Sequence, residues 1–87
     1  MDAFARNWCR QMAESGVFEH STGPYGENIA FTSNTRLSAS QAAELFNQLW
    51  VDSPGHYANM TESRYTKAGI GLYKTDRGWY GTHVFNY

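Results

Sequence analysis

A chain of 87 residues has room for one domain, because a chain this short buries only about 60 to 65% of its unfolded surface. Its core must be dense, and 41% hydrophobic residues with three Trp, six Tyr and five Phe can fill it, which excludes a disordered chain. Seven basic residues against eight acidic ones, net charge −1 with no basic run, exclude a nucleic-acid surface, and the lone Cys9 excludes a disulfide framework or a cysteine-rich zinc module.

The first predicted element is a helix from Asp2 to Glu14. Phe4, Ala5, Trp8, Cys9 and Met12 fall on one of its faces, so the Cys9 thiol is expected in the core. Ser15-Gly16 ends it, with the glycine placed for a left-handed cap, and Val17 and Phe18 are expected to fold back as apolar contacts. Glu19 to Gly26 is a loop of turn formers that includes Pro24, and its second residue is His20. Gly26 to Phe31 reads as a short strand with Glu27, Ile29 and Phe31 on one side and Asn28 and Ala30 on the other. A carboxylate sharing a side with two large apolar groups must be paired, hydrogen-bonded or metal-bound, or else stand in water at the strand's edge.

Ser38 and Gln41 form a capping box for a second helix, whose Ala42, Leu45, Phe46, Leu49 and Trp50 follow an amphipathic period. That helix ends at Trp50, and Ser53-Pro54 starts another, Ser53 as N-cap and Pro54 at the first helical position. His56 then lies in a first turn, where the helix dipole disfavours the imidazolium and leaves a neutral ligand or base, or a plain hydrogen-bonding corner. In the strand from Lys67 to Lys74, Gly69 and Gly71 leave one side bare, so another backbone or a packed helix is expected to approach it closely. Thr75-Asp76-Arg77-Gly78 is a hairpin turn into a last strand, Trp79 to Tyr87. The order predicts an α+β domain, residues 1–87, with helices covering an antiparallel sheet of at least three strands. No apolar run approaches about 18 residues and no leader pattern is present, so neither a membrane span nor a signal peptide is expected in this sequence.

Five blocks carry a resemblance: Phe18-Glu19-His20-Ser21, Tyr25-Gly26-Glu27-Asn28-Ile29-Ala30, Trp50 with Ser53-Pro54-Gly55-His56-Tyr57-Ala58-Asn59-Met60, Ala68-Gly69-Ile70-Gly71, and Gly81-Thr82-His83-Val84-Phe85. In this order they resemble the CAP superfamily of cysteine-rich secretory, antigen 5 and pathogenesis-related 1 proteins, closest in style to its disulfide-free bacterial branch. The resemblance implies a compact α-β-α sandwich lacking the usual leading helix, extracellular or cell-surface, with a homodimer as one way of covering what that helix leaves open. It also implies a cleft in which His20, His56 and Glu27 hold a divalent metal, usually zinc. The second family acid falls on Ser53, beside Asp52, and His83 replaces a common glutamine. Two functions follow from the resemblance. One is a non-enzymatic binding module for a protein, a surface or a small apolar ligand such as a lipid or sterol. The other is a metal-dependent hydrolase of peptide or cell-wall material, with Glu27 as its catalytic group.

Overall fold

The computed structural model describes residues 1–23 and 25–87; Pro24, assigned by sequence to the loop of turn formers, lies outside them. The elements are α1 (Asp2–Ser15), β1 (Gly26–Thr32), α2 (Ala39–Asp52), α3 (Pro54–Met60), β2 (Lys67–Thr75) and β3 (Gly78–Asn86). The strands form one antiparallel sheet in the order β1-β3-β2, so the last strand lies in the middle.

Register fixes which side chains share a face. Glu27 pairs with Val84, Ile29 with Thr82 and Gly71 with Thr82, so these residues and Gly69 form one side of the sheet. Asn28 and Ile70 both pair with His83, and Ala30 and Leu72 with Gly81, which makes the other side.

α1 covers the first side. A Cβ built at Gly71 would lie 2.5 Å from Cα of Arg6 and 2.6 Å from the carbonyl carbon of Ala5, so the helix backbone rests on bare strand, as the glycine pattern predicts. Ala5, Cys9 and Met12 are buried at this contact. The Cys9 thiol lies 3.4 Å from the Gly71 carbonyl oxygen, which accepts its hydrogen bond, and 3.0 Å from Thr82 Oγ1. Gly16 ends α1 at φ 72°, and its N–H donates to the Met12 carbonyl at 3.0 Å.

α2 covers the second side. Ser38 and Gln41 make the expected capping box, and Ala42, Phe46 and Trp50 are buried against Ala30, with Leu37, Met60, Leu72 and Trp79 around them. Trp50 Nε1 donates to the Ile29 carbonyl at 3.1 Å and Asn59 Nδ2 to the Glu27 carbonyl at 3.3 Å, so two carbonyls of edge strand β1 find side-chain donors.

Two expectations need correction. Leu49 is 47% exposed, since α2 buries only the narrower stripe that meets the sheet. Val17 and Phe18 are 49% and 52% exposed, because the chain returns along α1 through the Glu19 carbonyl, which Trp8 Nε1 holds, and leaves these two side chains at the surface.

Candidate functional site

At the start of β1, Glu27 turns toward the α1 side and is almost enclosed, its side chain 5% exposed. Such a carboxylate needs donors, and the preceding loop supplies them. His20 Nδ1 lies 2.9 Å from Oε1, the Ser21 N–H donates to Oε1 at 2.8 Å, and the Ser21 hydroxyl donates to Oε2 at 2.5 Å. The Gly23 N–H in turn donates to Ser21 Oγ at 3.3 Å. The loop that carries His20 is therefore folded around one acid, and Trp8 Nε1 ties it to α1 by donating to the Glu19 carbonyl at 3.0 Å.

This geometry sets the histidine's chemistry. An ionised carboxylate only accepts, so in its neutral form His20 donates from Nδ1 in this contact and keeps its lone pair on Nε2. The His20 side chain is 60% exposed. The result is an imidazole held by a buried carboxylate on one edge and open to a ligand on the other.

His56 meets β1 on the opposite side, through its backbone. Asn28, fully buried and pointing away from Glu27, donates from Nδ2 to the His56 carbonyl at 3.1 Å and accepts from Asn59 Nδ2 at 3.0 Å. Asn28 and Asn59 thus dock α3 onto β1 and leave His56 Nδ1 buried without a partner among the described residues. Ser21, Asn28 and Asn59 stand within the family blocks, which assign none of them a function in the site. Their signals were an Asn alternating with Glu27 along one strand, and a second Asn one turn after His56.

His83 lies on the α2 side, its ring 5.5 Å from that of Trp50 and 4.2 Å from that of Phe85. Burial holds its pKa below the ordinary imidazole value. The folded state therefore resists a proton that the unfolded chain takes up readily. Stability from this residue is complete above about pH 6.5 and falls as pH drops from there toward the lowered folded value. Urea midpoints at pH 7.5 and pH 5 are expected to differ less in His83→Gln than in the wild type; equal differences would exclude His83 as a source.

Burial raises the Cys9 thiol to about 11, the Thr82 hydrogen bond opposes this, and the negative charge of Glu27 on the same side adds to it. The thiol stays protonated and is not a nucleophile. Asp52 faces solvent at the end of α2 and accepts from Gln48 Nε2 at 2.9 Å.

The structure thus joins His20 to Glu27 and holds His56 separately by its carbonyl. Among the described residues no three His, Cys, Asp or Glu side chains are grouped to hold a metal ion. Both Glu27 oxygens are already taken by donors of its own loop. As the described side chains stand, His20, Glu27 and His56 are not grouped as a zinc centre.

A family model described as the cysteine-rich secretory protein family, CAP, matches residues 1–87. Pathogenesis-related protein 1C of Nicotiana tabacum is 39% identical over 57 residues, 66% of this chain and 32% of that protein. Pathogenesis-related protein 1A1 of Solanum lycopersicum is 29% identical over 89 residues, 88% of this chain and 50% of that protein. The chain spans a third to a half of the length of these relatives. No solved structure matches it.

Proposed function

This chain belongs to the CAP family, and we propose that it works outside the cell as a non-enzymatic binding module whose contact point is the His20 edge of the loop before β1. The extracellular setting is supported by the family's description as secretory, and no helix among the described residues is long and apolar enough to cross a membrane.

One observation carries the binding reading: Glu27, enclosed and holding three donors of its own loop, serves to position that loop. Both of its oxygens accept from His20 and Ser21, and the hydroxyl beside it donates into the carboxylate rather than toward a substrate. The lone pair left free is that of His20 Nε2, but the Ser21 hydroxyl of the same loop donates to Glu27 and the Cys9 thiol is buried and protonated, so neither serves that base as a nucleophile. The site instead supports recognition, with Glu27 orienting an exposed imidazole that accepts from, or is stacked upon by, a partner.

The hydrolase reading is tested directly. Protein incubated with a peptide library and with peptidoglycan, with and without added zinc, is expected to leave both intact. Calorimetry is expected to give no stoichiometric zinc binding that the His20→Ala, His56→Ala double variant removes. Zinc-dependent cleavage abolished in Glu27→Gln would replace the binding module with an enzyme.

A further inference from the structure

On the flank of α1 away from His20, Ala3, Arg6, Asn7, Arg10 and Tyr73 line an open cleft of about 200 Å³. We propose that this cleft is a binding site for a phosphate group, carried by a small molecule or by a lipid headgroup.

The residues come from two elements. Arg6 and Arg10 stand one turn apart on α1, and Tyr73 faces them from β2 because α1 lies directly on that strand at Gly69 and Gly71. Both arginines are exposed. Like charges at this spacing disfavour the helix, and no acidic side chain lines the cleft to offset them. Arg10 is held lightly, donating to Asn7 Oδ1 at 2.6 Å and to Glu14 Oε1 at 3.2 Å, the latter between side chains 48% and 60% exposed. Pairs this exposed are weak and readily exchanged for a better anion. Arg6 has no ion-pair partner among the described residues.

The donor count selects the ligand. Two guanidinium forks, a phenol and a side-chain amide offer more hydrogen bonds than the two oxygens of a carboxylate can accept, whereas a phosphomonoester presents three charged oxygens. The volume is below the range of about 300 to 1,000 Å³ that encloses drug-sized molecules, so the cleft takes the charged group and leaves what bears it outside.

Inorganic phosphate titrated at constant ionic strength, followed by amide shifts in two-dimensional NMR, is expected to give saturable changes along α1 and around Tyr73. Arg6→Gln with Arg10→Gln should weaken binding at least tenfold while the melting curve stays on that of the wild type, and Arg10→Gln alone should weaken it severalfold. The lysine pair Arg6→Lys, Arg10→Lys should also weaken it, because the charge remains but the fork is lost. Glu14→Gln should tighten it by releasing Arg10. Vesicles of phosphatidylcholine with and without phosphatidic acid separate the two sources. Co-sedimentation that needs phosphatidic acid and both arginines assigns the headgroup, and phosphate binding without co-sedimentation assigns a soluble ligand. Absence of binding in both arms, or binding unchanged in the double glutamine variant, overturns the site.

Discussion

Trp50→Ala is expected to lose about 3 to 5 kcal/mol of stability, the largest effect of any single substitution in the helix layers. Trp50 is 1% exposed and sits between Phe46 and His83, its ring centroid 6.1 Å and 5.5 Å from theirs. Removing the indole opens a cavity in a core with few other large members. It also strips the donor from the Ile29 carbonyl, an unpaired buried acceptor worth about 1 to 3 kcal/mol. A chain of 87 residues holds about 4 to 13 kcal/mol in total, so the variant is expected to populate unfolded protein in dilute buffer. Trp50→Phe separates the two causes: it keeps most of the ring, loses only the donor, and should cost about 1 to 3 kcal/mol in urea titration. Equal losses for Ala and Phe would show that the hydrogen bond, and not the packing, accounts for the effect.

Gly71→Ala acts from the opposite face. The new methyl would meet the α1 backbone at Ala5 and Arg6, and backbone cannot rotate aside as a side chain can. α1 must lift or tilt, at about 1 to 3 kcal/mol for overpacking, and the movement breaks the contacts of the Cys9 thiol with Gly71 and Thr82. For a domain of this size each kcal/mol shifts the melting temperature by about 4 to 8 °C, so a drop of roughly 4 to 24 °C is expected. Faster labelling of Cys9 by a thiol reagent is the accompanying sign. A variant that melts lower while Cys9 stays protected would place the strain elsewhere.

The sequence made one layer of this account easy to read and another hard. Cys9 fell on the apolar face of α1, and the Ser38–Gln41 box marked the start of α2. Gly69 and Gly71 announced the close helix, because these signals are local and depend only on the element that carries them. Leu49 and Phe18 show the limit. Periodicity says which way a side chain points but not whether anything lies there to cover it. The candidate site divides in the same way. Alternation along β1 already set Glu27 and Asn28 on opposite sides, yet only the strand order and the seating of α3 decide that His20 joins the first and His56 the second. The family blocks name residues without saying which face each serves.

The central claim is that buried Glu27 fixes the His20 ring, and long-range proton–nitrogen NMR of the imidazole tests it most directly. The account predicts that neutral His20 carries its proton on Nδ1 in the wild type, and that Glu27→Ala returns the ring to the Nε2–H form usual for a free histidine. A wild-type His20 protonated on Nε2, or a tautomer indifferent to the loss of Glu27, would contradict it.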